Sequence, residues 1–180
     1  MTTFIRLLAV FTFLLAGFTF APFLDPSKPE LPGVAAVPQR VRILGYERDL
    51  VFGGWQPGVR EAVVEAAGDV DPYSGEPLDT STAEVDHILP LSAAWDLGAH
   101  SWSALERINF ANDPVNLVLV SRGENQRKSD QLPSQWLPSD KSARCWYTER
   151  LFTVAALYDL PLPETDIRAG QHSCRLVIFR

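Results

Sequence analysis

Two short apolar segments followed by a capped helix limit the folds open to this chain. A short strand is predicted within residues 83–89, and a second, buried strand at residues 116–120 (NLVLV), because brief apolar runs bounded by turn residues are typical of strands. Ser121 and Glu124 have the spacing of a capping box, which predicts a helix that begins at Ser121 and ends before Pro133. The chain is therefore expected to be α+β.

The rest of the chain is predicted to be mainly helical, with no internal repeat and no low-complexity tract. Ser103 and Glu106 form another capping box, which starts a helix. The longest helical pattern covers residues 140–160 and is closed by Pro161. A single domain is expected at residues 40–180. Its shorter helical segments are predicted at residues 58–67, at residues 92–98 and from Glu164.

Composition and charge agree with one globular domain and exclude several classes of protein. The chain has 180 residues, of which 46% are apolar and 21% charged, so it can bury a sizeable core without a disulfide framework. Two cysteines exclude a four-cysteine zinc ribbon and a cysteine-rich secreted scaffold. The net charge of −6 argues against tight, sequence-independent wrapping of nucleic acid. Residues 122–150 carry six basic and four acidic side chains, which is compatible with a local basic surface or with an ordinary mixed surface.

The first 24 residues are predicted to be a signal peptide or a membrane anchor. Residues 7–24 form an uncharged apolar run, at the lower edge of a membrane span and longer than most signal-peptide cores. Pro22 follows the best cleavage site and disfavours processing, so an uncleaved anchor is preferred over a cleaved signal, with a buried helix as the remaining alternative. Arg6 places the N-terminus inside and the rest of the chain outside. Residues 25–39 contain four prolines and are predicted to be a stiff linker.

Polar residues that suit hydrolytic chemistry stand at the junctions of the two strands and the helix. Asp86 and His87 lie in the first strand, and Asn116 opens the second. Asn125 lies in the first turn of the helix and Lys128 one turn later. A carboxylate and an amide oxygen suit a hard divalent ion such as Mg2+, and a histidine suits the removal of a proton from water. The helix N-terminus and Lys128 favour a bound phosphate, so the combination predicts a one-metal hydrolytic site, although each residue alone is more typical of a surface or turn position.

Strand geometry adds a condition to this site. Adjacent strand residues face opposite sides, so Asp86 and His87 can both face a metal only if the strand bends or ends there, as Pro90 allows. Glu84 shares the face of Asp86 in a regular strand. It is either an outer carboxylate of the site or a plain surface glutamate.

The same segments resemble the HNH endonuclease signature. DHILPLS (86–92) and NLVLVSRGENQRKSDQLP (116–133) are similar to the HNH domain of RNA-guided DNA-cleaving effectors. The likeness extends, over roughly residues 45–160, to the HNH domain at the C-terminal end of GmrSD-type restriction enzymes and to small exported HNH proteins. Further matching positions are Tyr46, Arg48, residues 52–55, the DPYSG turn (71–75), Ala94, Trp95, Gly98, Ala99, Trp102, Arg107, the FAND segment (110–113), Asp130, Pro133 and residues 136–138.

The resemblance implies a ββα-metal (HNH) core embedded in the mainly helical domain. In that core His87 would be the general base that activates water, and Asn116 would orient it. Asp86 and Asn125 would hold one divalent ion, which clamps the scissile phosphate and stabilises the leaving oxygen. An amide at position 125 favours Mg2+ or Mn2+ over zinc. Lys128 would neutralise phosphate charge.

The two cysteines, two further histidines and four tryptophans fall outside this chemistry. Cys145 and Cys174 are expected to form one disulfide between the long helix and the C-terminal segment, with two free buried thiols as the alternative. Closing such a loop of about 30 residues is worth roughly 3–4 kcal/mol in the loop-entropy model. His100 and His172 match no position of the family and are expected on the surface. Core packing is expected for most of the tryptophans, with stacking on bases as the alternative: Trp95, Trp102, Trp136 and Trp146.

The chain is thus predicted to be an exported or membrane-anchored, metal-dependent HNH endonuclease that hydrolyses phosphodiester bonds. DNA is favoured over RNA as the substrate, with little sequence specificity, and the protein is expected to be a monomer. It would be held at the membrane if residues 1–24 are not cleaved, and secreted otherwise. The alternative is a catalytically silent HNH scaffold that serves as an envelope binding module. Four signature residues are present: Asp86, His87, Asn116 and Asn125. Their presence favours the enzyme, because a binding module gains nothing from keeping them.

Overall fold

A computed structural model describes residues 31–175, so the predicted signal or anchor segment at residues 1–24 lies outside the described residues. None of the helices within residues 31–175 has the length and the apolar composition of a membrane span. The strands in this range are β1 (Ala36–Val37), β2 (Glu84–His87), β3 (Leu117–Val120) and β4 (Leu162–Pro163). The helices are α1 (Arg48–Val51), α2 (Val59–Glu65), α3 (Leu91–Leu97), α4 (Ala104–Asn112), α5 (Arg122–Lys128), α6 (Arg144–Leu157) and α7 (Glu164–Arg175).

Strands β2 and β3 pair in antiparallel orientation, with Glu84 opposite Val120 and His87 opposite Leu117. All of β3 is buried, as its continuous apolar sequence predicts. Helix α5 begins directly after β3, so two strands lead into one helix as the sequence predicts. The described part of the chain combines helices with two small two-stranded sheets, which confirms the α+β class.

The first turn of α5 is anchored by its cap. The side chain of Ser121 accepts a hydrogen bond from the backbone N–H of Glu124 at 3.3 Å. A complete capping box would also have the Ser121 N–H donate to the Glu124 carboxylate, and within residues 31–175 this bond is absent. The Ser121 N–H donates to Asp71, and the Glu124 carboxylate accepts from Arg127 and Ser139. The helix ends where Ser129 adopts a positive φ of 52°. The segment that carries part of the site is therefore fixed at both ends.

The other predicted helices form, with boundaries that differ by a few residues. The capping box at the start of α4 is complete, since Ser103 and Glu106 each bond to the other's backbone N–H. The pattern predicted over residues 140–160 divides into a 3-10 turn at Lys141–Ala143 and helix α6. Helix α7 has 12 residues and is longer than the short helix predicted from Glu164.

Part of the predicted linker packs on the domain. Ala36 lies opposite Leu162 in the parallel β1–β4 pair, and Leu31 and Val34 pack against the core. A proline-rich composition predicts an extended chain, but it does not predict what that chain contacts. The packed unit therefore includes residues 31–39 as well as the domain expected from residue 40.

Most of the tryptophans pack as predicted. Trp95 is buried, and Trp102 and Trp136 are partly buried against the core. Trp146 differs, because 36% of its surface is exposed. The two histidines outside the site are exposed, as predicted: His100 and His172.

Helices α6 and α7 are joined by the predicted disulfide. Cys145 and Cys174 are bonded, with their Cα atoms 4.5 Å apart, so the alternative of two free thiols is wrong. The helices also approach closely at Gly170, where an added Cβ would lie 2.7 Å from the ring of Phe152. A covalent bond and a close backbone approach thus hold the C-terminal helix on the domain.

Candidate active site

The carboxylate of Asp86 is buried in β2 and is held by two donors. The hydroxyl of Tyr73 donates to Oδ2 at 2.7 Å, and Lys128 Nζ lies 2.9 Å from Oδ2 and 3.1 Å from Oδ1. Burial, together with the negative charge of Asp86, raises the pKa of the Tyr73 phenol well above its usual value. Tyr73 therefore remains a donor, and the orientation of the carboxylate is set at both oxygens.

Lys128 is fully buried and faces β2. Besides its ion pair with Asp86, its ammonium donates to the backbone carbonyl of His87 at 2.7 Å. This position does not fit the expected contact with a substrate phosphate, because a buried ammonium that holds Asp86 cannot also reach solvent. The spacing of Asn125 and Lys128 along the helix did not indicate that the lysine turns inwards. In this geometry Lys128 holds the Asp86 carboxylate and the backbone of His87.

The imidazole of His87 is fixed by a backbone carbonyl and an indole ring. Its Nε2 lies 2.8 Å from the carbonyl oxygen of Ala111. A carbonyl oxygen can only accept, so Nε2 carries the proton and Nδ1 is the unprotonated nitrogen of the neutral ring. Trp55 stacks on His87, with the ring planes 7° from parallel and the centroids 5.4 Å apart.

Burial keeps this histidine neutral. The pKa of His87 falls from 6.5 to about 3, chiefly because burial disfavours the charged ring. The hydrogen bond to Ala111 opposes this change, whereas the positive charges of Arg48 and Lys128 lower the pKa further. A neutral imidazole is the form that can take a proton from water.

Asn116 supports the turn after His87 rather than the imidazole itself. Its Oδ1 accepts from the N–H of Leu89 at 2.8 Å, and its Nδ2 donates to the Leu89 carbonyl at 3.2 Å. Its backbone carbonyl also accepts from the N–H of Ile88 at 2.8 Å. The Asn116 amide thus satisfies both polar groups of Leu89 beyond the end of β2. The carbonyl of Ala111 makes the contact with the imidazole that was expected from Asn116.

Asn125 is oriented by Glu84. Its Nδ2 donates to Glu84 Oε2 at 2.8 Å, which assigns the nitrogen to that side of the amide. Glu84 also lies 3.5 Å from Arg122. Of the two interpretations of Glu84, the hydrogen bond with Asn125 favours the outer carboxylate over the plain surface glutamate. Within residues 31–175 no hydrogen bond is donated to Asn125 Oδ1, so this oxygen is available to a cation.

Asp86, His87 and Asn125 line one cavity of about 220 Å³. Strand β2 ends at His87, which lets the adjacent side chains of Asp86 and His87 border the same space. Three of the predicted site residues are therefore brought together, whereas Asn116 and Lys128 lie behind the lining. The other lining residues are Tyr46, Arg48, Val85, Pro90, Leu91, Ser92, Ser129 and Asp130.

The donor set of this cavity fits a hard divalent ion. Asp86 offers carboxylate oxygens and Asn125 an amide oxygen, which are ligands that Mg2+ and Mn2+ accept. No cysteine is among the described lining residues, and Nε2 of His87 is engaged by Ala111. The thiolate ligands that zinc prefers are therefore not offered, and Nδ1 of His87 is the one imidazole nitrogen left unengaged among the described lining residues.

Arg48 and Tyr73 contact the site, although no role was predicted for them from the sequence. The exposed side chain of Arg48 lines the cavity beside His87. Tyr73 bonds to Asp86 from a turn that precedes β2. Both residues lie in segments that resemble the family, at Tyr46-x-Arg48 and in DPYSG. The resemblance therefore marked these positions, but it did not indicate that Arg48 lines the cavity or that Tyr73 bonds to Asp86.

Three of the six basic residues of segment 122–150 are engaged within the protein rather than free for a phosphate beside the cavity. Arg150 donates to the backbone carbonyls of Pro114, Val115 and Leu117. Arg127 pairs with a glutamate of its own helix, and Lys128 is buried. The interpretation as an ordinary mixed surface therefore describes this segment better.

An ion-pair network ties the start of the domain to the site. Arg40 Nε lies 2.6 Å from Asp96, and its Nη2 lies 2.8 Å from Asp130. The hydroxyl of Ser92 donates to Asp130 at 3.0 Å, and both of these residues line the cavity. The network connects α3, the segment after α5 and the chain before α1.

Comparison with known proteins gives one family and one relative. Residues 53–162 match the family described as "GmrSD restriction endonucleases, C-terminal domain". A protein of Arthroderma benhamiae named "Uncharacterized secreted protein" is 39% identical over 98 residues, which is 53% of this chain and 48% of the relative. The match thus spans about half the length of that curated relative. No solved structure matches the chain.

Proposed function

The chain belongs to the family of GmrSD restriction endonuclease C-terminal domains, and we propose that it is an HNH endonuclease that hydrolyses phosphodiester bonds with one divalent metal ion. One observation carries the proposal: His87, with its Nε2 bonded to Ala111, borders the same cavity as Asp86 and Asn125. A neutral base thus lies beside two hard oxygen ligands. Strands β2 and β3 with helix α5 form the ββα core in this proposal.

His87 takes the proton of the attacking water in this mechanism. Nε2 donates to Ala111, so Nδ1 has the lone pair that accepts the proton. Once Nδ1 is protonated, the same carbonyl stabilises the imidazolium. Trp55 holds the plane of the ring, and Asn116 holds the turn that follows it.

Asp86 and Asn125 hold the metal ion, which is Mg2+ or Mn2+ because both ligands are hard oxygens. When bound, the ion supplies positive charge that polarises the scissile phosphate and stabilises the leaving oxygen. Tyr73 and Lys128 orient Asp86, and Glu84 orients Asn125. These three act as positioning residues.

The substrate in this proposal is nucleic acid, with DNA favoured over RNA. Arg48 is an exposed cation on the cavity and can contact a phosphate. The acidic total charge supports modest affinity with little sequence recognition. The protein acts as a monomer in this account.

We also propose that the enzyme acts outside the cytoplasm. Residues 1–24 have the composition of a signal peptide or anchor, and the relative from Arthroderma benhamiae is named as secreted. The Cys145–Cys174 disulfide agrees with an oxidising compartment.

A catalytically silent envelope scaffold is the second candidate. One observation favours it: the ammonium of Lys128 lies within 3.1 Å of Asp86 Oδ1 and 2.9 Å of Oδ2, so the carboxylate already has a cation. A carboxylate oxygen has lone pairs for more than one partner, and therefore this contact does not prevent metal binding.

Metal binding separates the two candidates. We expect the full chain to bind Mn2+ in isothermal titration calorimetry, and Asp86→Ala and Asn125→Ala each to weaken the affinity by about tenfold or more. Asp79→Ala, which removes an exposed carboxylate in the turn before β2, should leave the affinity unchanged. If both site variants bind Mn2+ as tightly as the wild type, the scaffold becomes the better account.

A further inference from the structure

His87 stands between two cavities. The first is the polar site cavity, which it borders with Asp86 and Asn125. The second has a volume of about 240 Å³ and shares Arg48, His87 and Leu91 with the first. Its remaining lining residues are Asp49, Gly53, Gly54, Trp55 and Ala111. Whatever enters the second cavity therefore lies directly beside the proposed base.

The second cavity is lined by a partly exposed tryptophan next to open space. Trp55 as a whole residue is 36% exposed, and its ring stacks on His87. Gly53 and Gly54 border the cavity without side chains, and a Cβ on Gly54 would have no neighbour within 4 Å. The guanidinium carbon of Arg48 lies 6.0 Å from the indole centroid.

We propose that this second cavity is a subsite for one unpaired nucleobase, which belongs to the nucleotide next to the scissile phosphate. The inference rests on the proposed endonuclease function and names its substrate class. Trp55 is the stacking surface, and Arg48, which borders both cavities, contacts the phosphate that joins them. Stacking on an aromatic ring accepts every base, which agrees with low sequence specificity.

The lining favours a nucleobase over other ligands. One indole, the apolar surface of Leu91 and Ala111, the cation of Arg48 and the polar carboxylate of Asp49 match a flat ring that has hydrogen-bonding groups on its edge and a phosphate beside it. A base in a duplex is stacked and paired, so it can enter only after it is unpaired. The subsite therefore favours single-stranded nucleic acid over duplex.

Binding without turnover tests the subsite. The full chain, kept in solution with mild detergent, is titrated in EDTA against a fluorescently labelled single-stranded DNA oligonucleotide, and anisotropy is measured. Trp55→Ala should weaken binding about tenfold, whereas Trp55→Phe should keep most of the affinity because it retains an aromatic ring. Trp146→Ala is the matched control, since Trp146 is also 36% exposed and has Arg150 5.8 Å from its ring. Equal affinity of wild type and Trp55→Ala would overturn the subsite.

Cleavage of modified substrates gives a second test that uses the wild-type protein and does not depend on the folding of a variant. A single abasic site is moved along the oligonucleotide in Mg2+ or Mn2+. Cleavage should fall about tenfold when the missing base is next to the scissile phosphate, and Trp55→Ala should slow that abasic substrate much less than it slows the intact one. The same strand in a duplex should be cleaved more slowly.

The outcomes separate this proposal from the proposed function. If the wild type cleaves every abasic substrate as fast as the intact one, and Trp55→Ala cleaves as fast as the wild type, the subsite is overturned and the endonuclease is kept. A wild type that cleaves nothing, while Trp55→Ala still weakens binding in EDTA, overturns the endonuclease and supports the base-binding cavity. A variant Trp55→Ala that slows intact and abasic substrates equally shows that Trp55 positions His87 alone, and it too overturns the subsite.

Discussion

The imidazole of His87 depends on neighbours that come from distant parts of the chain. Ala111 accepts its N–H, Trp55 covers its face and Lys128 holds its backbone carbonyl. Together they bury the ring and select its tautomer. The consequence can be measured as a pH dependence of folding.

We expect His87 to make the fold less stable as the pH falls below 6.5. The pKa is about 3 in the folded protein against 6.5 in the unfolded chain, so the unfolded state binds more protons between these values. Stability therefore rises with pH across this window. The contribution of His87 should decrease by roughly 2 kcal/mol from pH 7 to pH 5. Urea unfolding in EDTA at both pH values, for wild type and His87→Gln, measures it. Parallel pH profiles of the two proteins would contradict a buried neutral His87.

Glu84 tests the assignment of the Asn125 oxygen to the metal. Glu84→Ala removes the acceptor at 2.8 Å that orients the amide, so we expect Mn2+ affinity to fall about tenfold. Glu61→Ala, an exposed glutamate on α2, serves as the control. Titration calorimetry gives both affinities. An unchanged affinity in Glu84→Ala would mean that Asn125 does not depend on Glu84 for its orientation.

For single residues, the sequence predicted which side chains belong to the site better than it predicted the groups they contact. Asp86, His87 and Asn125 were found from their order and border one cavity. Asn116 and Lys128 were found too, but their contacts are with Leu89 and Asp86 rather than with the imidazole or a phosphate. Which way a polar side chain turns depends on groups distant in sequence, and no local pattern contains them.

The element that carries the site is the β2–β3 pair with α5 behind it. Burial of all four β3 residues and the cap at Ser121 fix where α5 begins. Lys128, in its last turn, reaches back to β2 and joins helix to strand through Asp86. This ion pair is buried on both sides, so breaking it leaves an uncompensated charge.

Lys128→Met should therefore destabilise the fold strongly. Removing one partner of a buried pair costs about 3 kcal/mol or more, because Asp86 would remain ionised without its cation or would have to take up a proton. Lys141→Met, at an exposed lysine, should change stability by less than about 0.5 kcal/mol. Guanidinium unfolding measures both. A loss below about 1 kcal/mol in Lys128→Met would show that the pair contributes little to the fold.

Local signals predicted the helices with caps well and the small elements poorly. The capping boxes at Ser103 and Ser121 located the starts of α4 and α5. Helix α1 and the β1–β4 pair were not predicted, since α1 has four residues and β1 and β4 two residues each. Such short elements are stabilised by packing rather than by propensity.

The first and last segments of residues 31–175 are held on the domain by tertiary contacts. The start of the described chain pairs with β4, Arg40 binds Asp96 and Asp130, and the disulfide links α6 to α7. The sequence predicted the disulfide because just two cysteines are present, whereas the strand pairing and the arginine network depend on tertiary structure. These contacts hold the scaffold around the site cavity.

The disulfide should stabilise the domain without taking part in the chemistry. It closes a loop of 29 residues, so Cys145→Ser/Cys174→Ser should lower the free energy of unfolding by about 3 kcal/mol. Mn2+ affinity at a temperature where the variant is folded should be unchanged. Thermal and urea unfolding, compared with the reduced wild type, measure the loss. A variant that stays folded but loses Mn2+ binding would show that the disulfide is needed for the metal site and not only for stability.

The proposed role of His87 is tested most directly by cleavage of supercoiled plasmid by the full chain in Mg2+, in Mn2+ and in EDTA, beside His87→Ala and the surface control His172→Ala. We expect nicking with either metal, no nicking in EDTA, loss of activity in His87→Ala and full activity in His172→Ala. Single-stranded DNA and RNA are included as further substrates. If the folded, metal-loaded protein cleaves none of them, or if His87→Ala cleaves as fast as the wild type, His87 is not the general base of an endonuclease.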